Sequence, residues 1–369
     1  MDQISNNIFL IAGEKSGDLY GGKLIEQMLK IKPNLEINFW GGDLMRKAGG
    51  NLLQHYKTYN FMGIDDVLKN IFSIKKKINL CKTHIMNYKP KTIILIDFPG
   101  FNLRIAKFSK IKGIKVVYFI PPKVWAWNSK RIFQIKKYVD FTFSILPFEV
   151  PYYKKYNVDI LYYGNPLASI VENFNFMKIK KDVNFDHVIS LLPGSRVSEI
   201  SNSISVFKNI VNLMPKSLFY VASVSHVPSS IYSPIKRFSN VRLLEDRTYD
   251  IVKASNVSVV VSGTASLEVA LLNVPQIVVY KTSLLSYLIG KMVLKIKYIS
   301  LVNLILNKGL VKEFIQGDFN PKLVLNEIKK IINNKQYVNR IKDGYKEIKN
   351  LLGDKNVIPK IATSILKMD

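Results

Sequence analysis

Residues Ile8 to Asp18 read IFLIAGEKSGD. Five apolar residues run unbroken to Ala12. Gly13 and Gly17 then bracket three polar residues, and a helix-period segment follows from Leu19 to Lys30. An uninterrupted apolar strand, as opposed to an alternating one, is covered on both faces, which is the mark of a parallel sheet. The unit recurs. Further candidate strands are Ile37–Trp40, Thr92–Asp97, Val116–Ile120, Phe141–Ile145 and Ile160–Tyr163, then Val188–Leu192, Leu218–Ala222, Val241–Leu244, Val257–Val261 and Gln276–Val279. Helical patterns at Asp66–Met86, Leu103–Lys112 and Lys130–Tyr138 lie between them. Strand patterning stops near Ala168–Asp186, where Glu, Asn, Lys and Asp accumulate. The expectation is α/β: two doubly wound parallel-sheet domains facing a central cleft, at 1–168 and 187–335, joined by a linker at 169–186. Residues 336–369 read as a basic helical tail. In such sheets ligands bind beyond the carboxyl ends of the strands, so the turns after strands are where chemistry is expected.

The first turn, Gly13 to Asp18, would present backbone N–H groups to an anion at a helix N-terminus. It is neither the dinucleotide fingerprint nor a Walker A loop, and Ser16 and Asp18 could equally be helix caps. The strand from Thr92 ends in IDFPGFN (Ile96–Asn102). Asp97 there could take a proton from a sugar hydroxyl or merely cap the turn forced by Pro99 and Gly100. In PPKVWAWNSKR (Pro121–Arg131), Trp125 and Trp127 suit a sugar ring or an acyl chain, or plug a domain interface. In the second half, LLPGSR (Leu191–Arg196) places Arg196 over a helix start, as a diphosphate clamp would need. SGTASLE (Ser262–Glu268) sets the small residues Ser262, Gly263, Thr264 and Ala265 after a buried strand, with amides available to a diphosphate. Glu268 is the only charge between Ala254 and Tyr280; an idle carboxylate there would be costly, and it suits the two hydroxyls of a ribose.

Lys and Arg total 54 against 27 Asp and Glu, a formal charge of +27. The basic residues are spread along the whole chain and accompany heavy use of Asn and Ile, so compositional drift accounts for part of the excess. With no RRM, KH or zinc-finger signature, nucleic acid is not the expected partner; an anionic membrane or phosphorylated substrates are. Cys81 is the sole cysteine and the four histidines are scattered, so no metal site is expected and no Asp-x-Asp pair occurs. The apolar run Ile8–Ala12 is too short for a signal peptide. Two segments read as membrane-facing: Val67–Leu80, with Val67, Leu68, Ile71, Phe72, Ile74 and Ile78 among Lys69, Lys75, Lys76 and Lys77, and Leu284–Ile296, broken by Lys291 and Lys295. Ordinary core-facing helices would read the same way. The expected location is cytoplasmic, on the inner face of the membrane.

In their order, AGEKSGD, MGIDDVL (Met62–Leu68), IDFPGFN, VWAW (Val124–Trp127), LPFE (Leu146–Glu149), LPGSR, SGTASLE, YISLVNL (Tyr298–Leu304) and LVKEFIQ (Leu310–Gln316) resemble the lipid-A-disaccharide synthase family. The resemblance spans about Phe9 to Leu323. It implies a GT-B fold and inverting transfer with no metal or other cofactor. The donor would be UDP-2,3-diacylglucosamine and the acceptor 2,3-diacylglucosamine 1-phosphate; the products would be UDP and the β-1,6 disaccharide phosphate. It makes Asp97 the general base. It places Glu14 and Ser16 in the first-domain loop lining the cleft and Arg196, Glu268 and Asn303 around UDP; Gly17 and Asn102 are further candidates beside the former, and Ser262, Gly263, Thr264 and Ala265 beside the latter. It also implies a C-terminal segment packing on the first domain or on a partner subunit, leaving a homodimer open. The chain departs from the commoner family pattern at Gly100, where many members carry an acid, at Asn165, where many carry His, at Pro121, Pro122 and Lys123 in place of Ser-Pro-Ser, and at Val302 in place of Pro.

Overall fold

A computed structural model describes residues 7–59, 71–179, 184–293, 296–353 and 356–368. The motif Met62–Leu68, the front of the expected 66–86 helix with Val67, Leu68 and Lys69, and Lys295 lie outside the described residues.

Among the described residues thirteen strands form two sheets, and every pairing is parallel. The first sheet holds β1 (Ile8–Ala12), β2 (Ile37–Gly41), β3 (Asn51–His55), β4 (Thr92–Ile96), β5 (Lys115–Phe119), β6 (Phe141–Ser144) and β7 (Leu161–Tyr162), in the order β3-β2-β1-β4-β5-β6-β7. The second holds β8 (His187–Leu192), β9 (Ser217–Ser223), β10 (Val241–Glu245), β11 (Val257–Val261), β12 (Gln276–Tyr280) and β13 (Lys312–Ile315), in the order β10-β9-β8-β11-β12-β13. Strands β1, β4 and β11 are buried at every residue, as their unbroken apolar runs require. The expected interior strands are present within a residue or two. Two strands were not expected, β3 (NLLQH) and β13 (KEFI). Both sit at sheet edges and pair on one side only, so half-exposed, polar residues replace the continuous apolar run.

The chain forms two compact units: residues 1–166 with 353–369, and residues 167–352. Each has its own core. Phe9, Trp40, Tyr118 and Tyr153 are among the large buried side chains of the first, and Phe207, Phe219 and Tyr232 of the second. The residues read as a linker include the end of a helix, Pro166–Glu172. The basic tail is not one piece. Its helix Lys335–Leu351 belongs to the second unit, where Gly344 lies so close to Leu310 that a Cβ would come within 2.3 Å of its side chain and Gln276 Nε2 donates to Tyr345 Oη at 3.1 Å. Gly353, with φ +80°, turns the chain against Gly164. The last helix, Val357–Lys367, packs on the helix Lys15–Ile31 of the first unit, and Tyr163 Oη and Ser364 Oγ share a hydrogen bond of 2.8 Å.

In a doubly wound sheet, the crevice for ligands opens where the strand order reverses. The first sheet reverses between β1 and β4, the second between β8 and β11. The turns that follow these four strands are Gly13–Gly17, Asp97–Gly100, Pro193–Arg196 and Ser262–Ala265.

Candidate active site

In the first unit, β1 and β4 pair in register, with Ala12 opposite Ile96, so the two turns leave the sheet side by side. Gly13 is glycine because the Phe98 ring lies on it: a Cβ would fall 2.3 Å from Phe98 Cγ. Asp97 and Phe98 are both left-handed, at φ +46° and +48°. Non-glycine residues stay in such conformations only where their surroundings over-determine them, and here the restraints are visible. Asp97 N–H donates to Phe119 O at 3.1 Å. Asp97 O accepts from Asn102 Nδ2 at 2.8 Å and from Tyr118 Oη at 2.7 Å. Asn102, expected along the ligand side, is fully buried. Its amide also donates to Ile96 O at 3.2 Å, so it builds the turn and is not part of a surface.

The Asp97 carboxyl is pushed up to about 7, first by burial and then by the adjacent Glu14 carboxyl; Lys123 and the Phe98 amide pull it down. Glu14 is held from its other side by Ser16 Oγ, which donates to Oε1 at 3.0 Å. Gly17 is buried, and a Cβ there would sit 3.2 Å from Ala12 Cβ, so its part is to let the helix close on β1. Asp18 caps a helix, but not its own. Its carboxylate accepts from the amides of Gly42 (2.8 Å), Leu44 (3.1 Å) and Met45 (3.1 Å), at the start of the helix Asp43–Lys47.

The two tryptophans part company. Trp125 turns inward, donating from Nε1 to Glu149 Oε1 at 2.8 Å and meeting Phe148 edge-on at 4.9 Å. Trp127 is 47% exposed, with the Arg131 guanidinium over its ring. Glu149 stood in the LPFE motif without a role. It is a buried carboxyl pushed up to about 7 by burial, opposed by hydrogen bonds from Ser144 and Trp125 and by Lys123, and it senses Asp97. Its signal in the sequence was an acid one helix start beyond an apolar strand. Lys123 had no role either, yet it is the cation whose charge reaches both carboxyls.

In the second unit, β8 and β11 are neighbours, with Leu192 opposite Val260. Gly194 has φ +106°, and a Cβ would lie 2.6 Å from Glu199 Oε2. That oxygen accepts from the amides of Ser195 (3.0 Å) and Arg196 (3.3 Å), capping the helix Val197–Leu213. Arg196 is exposed and pairs with Glu199 at 3.3 Å. Beside it, the helix Thr264–Leu271 begins from Gly263. A Cβ at Gly263 would meet nothing within 4 Å, so the helix start faces open space, and its first amides have no partners within the helix. Glu268 is partly buried, receives Tyr249 Oη at 3.1 Å and has its pKa raised by burial against that bond.

Asn303 is buried with its amide spent. It donates to Val311 O (2.9 Å) and Glu313 Oε1 (2.8 Å) and accepts from the amides of Leu310 (2.9 Å) and Val311 (3.0 Å). Glu313 also receives the amides of Ile299 (2.9 Å) and Ser300 (3.0 Å), and Ser262 Oγ donates to Ile299 O at 2.8 Å. The YISLVNL and LVKEFIQ motifs are thus one polar network behind the Ser262 turn, with Glu313 as a hub that sequence reading missed.

The family model described as lipid-A-disaccharide synthetase matches residues 8–363. The lipid-A-disaccharide synthase of Syntrophus aciditrophicus is 34% identical over 363 residues, 95% of this chain and 94% of its own. Among solved structures, the UDP-GlcNAc 2-epimerase of Neisseria meningitidis matches with a TM-score of 0.69 at 13% identity, over 98% of this chain and 100% of that one. A glycotransferase of kitacinnamycin matches at 0.67 and 10% identity, over 98% of each chain. Those structural likenesses speak for the fold alone, which is of GT-B type, with two Rossmann-like units. The sequence match is of another kind: it runs through both units and through all four turns at the strand reversals, and by it this chain belongs to the lipid-A-disaccharide synthase family.

Proposed function

We propose that the chain transfers 2,3-diacylglucosamine from UDP-2,3-diacylglucosamine to the 6-hydroxyl of 2,3-diacylglucosamine 1-phosphate, yielding the β-1,6 disaccharide 1-phosphate and UDP. The observation that carries this reading is the Asp97 carboxyl, held in a strained turn at the reversal of the first sheet with its pKa at about 7. A base is most effective when its pKa lies near the working pH. Asp97 accepts the hydroxyl proton as that oxygen bonds to the anomeric carbon. The bond from that carbon to the diphosphate breaks on the opposite face, and UDP leaves with the electron pair. Glu14 keeps Asp97 basic, and Lys123 keeps it ionisable. On the second unit, Arg196 and the amides of Ser262, Gly263, Thr264 and Ala265 take up the charge that develops on the diphosphate. With these groups in place the transfer is assigned no metal. Glu268 accepts from the ribose hydroxyls, and Asn303 acts through Glu313 by shaping the turn that meets UDP. Gly17, Ser16 and Asn102 serve the acceptor side by holding Glu14 and the Asp97 turn.

Both substrates carry acyl chains, so the enzyme must meet a membrane. Among the described residues no helix is long and apolar enough to cross one. Phe72 is 86% exposed and Leu284 76%; Lys75, Lys76 and Lys291 are exposed on the same helices. These support peripheral binding to an anionic surface, on the cytoplasmic side where UDP-sugars are found.

The test is to incubate purified protein with both substrates in detergent and EDTA and assay UDP and disaccharide. Product is expected. No product from folded, UDP-binding protein would instead point to another acceptor on the same fold.

A further inference from the structure

Two arginines near the Asp97 turn have no carboxylate partner among the described residues. The helices Pro99–Ile111 and Arg131–Tyr138 pack together and carry Arg104 and Arg131. Arg104 Nη1 donates to Gly100 O at 3.1 Å, which ties it to the first turn after Asp97. The Arg131 guanidinium lies 4.6 Å from the centroid of the exposed Trp127 ring. It also acts on Tyr118, whose hydroxyl donates to Asp97 O at 2.7 Å. Burial, and the Arg104 charge beside it, hold Arg131 below the ordinary arginine range. Among the described residues neither arginine has a carboxylate within ion-pair distance. A Cβ on Gly100 would meet nothing within 4 Å, so the ground next to Arg104's anchor is open.

Two arginines carried on packed helices can converge on one anion, and their planar forks match the oxygens of a phosphate. We propose that Arg104 and Arg131 form the seat for the phosphate of the acceptor sugar. The assignment rests on Asp97 serving the acceptor hydroxyl. In a hexose 1-phosphate, C1 and C5 flank the ring oxygen and C6 hangs from C5, so a fixed phosphate restricts where the 6-hydroxyl can lie. Phosphate recognition on the first unit would thereby orient the nucleophile toward its base, a role separate from UDP binding.

The full chain, Arg104→Gln, Arg131→Lys and the double variant Arg104→Gln/Arg131→Gln are assayed with the phosphorylated acceptor and with the same sugar lacking its phosphate. Arg104 is exposed, so its variant folds. The parent is expected to prefer the phosphorylated acceptor. Arg104→Gln raises the acceptor KM about 10-fold to 100-fold, the loss expected of charge-assisted bonds, with donor KM unchanged. Arg131→Lys keeps part of the preference, and the double variant loses it. A double variant that still prefers the phosphorylated acceptor overturns the proposal. So does an effect confined to binding of anionic phosphatidylglycerol vesicles, which would make the arginines headgroup contacts. If the parent makes no disaccharide, the Asp97 reading fails on its own. Glucosamine 1-phosphate then tests the seat directly, through a change in tryptophan emission abolished by Trp127→Phe: binding lost in Arg104→Gln upholds the seat, and no binding to the parent overturns it.

Discussion

Asp97→Asn separates a base from a turn cap, because the two roles predict opposite signs for stability. The substitution keeps size and shape and removes the ionisation. The native carboxyl titrates near 7, against 3.8 for the ordinary group, and burial is the largest cause. Between those values the folded protein holds a proton that the unfolded chain has released, so stability falls as pH rises through this window and levels off above about 7. At about 1.4 kcal/mol per pH unit, the span sets a ceiling of about 4 kcal/mol on what the ionised group costs the fold at pH 8. Water reaching a partly buried carboxyl brings the expected value to about 1–2 kcal/mol. Asp97→Asn should therefore be more stable than the parent at pH 8 by about that amount and closely similar at pH 5, by urea denaturation at each pH. Its kcat should fall about 10²-fold to 10⁴-fold, with UDP affinity unchanged. A carboxylate that only caps the turn predicts the reverse: Asn would cost stability at pH 8, and turnover would survive. Either result would refute the assignment.

Three further outcomes are expected. Glu268→Gln should weaken UDP binding about 10-fold or more, as for loss of a charge-assisted bond, by isothermal titration; an unchanged Kd would remove Glu268 from the ribose. Gly194→Ala must place a side chain at φ +106° and 2.6 Å from Glu199 Oε2, and should cost about 1–3 kcal/mol in urea denaturation; parental stability would show that the Pro193–Arg196 turn differs from that described. Phe72→Ser combined with Leu284→Ser should reduce sedimentation with anionic vesicles while leaving UDP affinity intact, and undiminished sedimentation would move the membrane contact elsewhere.

The readable parts of the fold were those governed by one local rule. Interior parallel strands are apolar at every residue because both faces are covered, so β1, β4 and β11 stood out in the sequence. Edge strands β3 and β13 obey no such rule and escaped notice. Once the strands are located, the turns after them are located too, which is why the candidate residues cluster at the reversals of the sheets. What each polar group faces is set by neighbours distant in sequence. Asp18 looked like a cap for its own helix; the β1–β2 pairing delivers it to the amides of Gly42, Leu44 and Met45 instead. Asn303 looked like a ligand group, and the return of the chain through β13 surrounds it with Leu310, Val311 and Glu313. Glu149 was invisible as an ionisable group of consequence because its raised pKa arises from burial, which the fold creates, and the bond from Trp125 that opposes it comes from 24 residues earlier.

Two of the chain's departures from the commoner family pattern act on the same carboxyl in the same direction. An acid at position 100 would add negative charge near Asp97 and push its proton affinity higher. The open space at Gly100 would admit such a side chain, so packing does not exclude it. Lys123 stands where a small hydroxyl is usual, and its positive charge lowers Asp97 and Glu149 together. Removing a negative neighbour and adding a positive one both favour the ionised, proton-accepting form. Burial and Glu14 bring Asp97 to about 7 against the pull of Lys123. On the proposal that Asp97 is the base, the glycine and the lysine both favour its proton-accepting form, and Arg104, anchored on Gly100 O, meets no side-chain carboxylate at position 100.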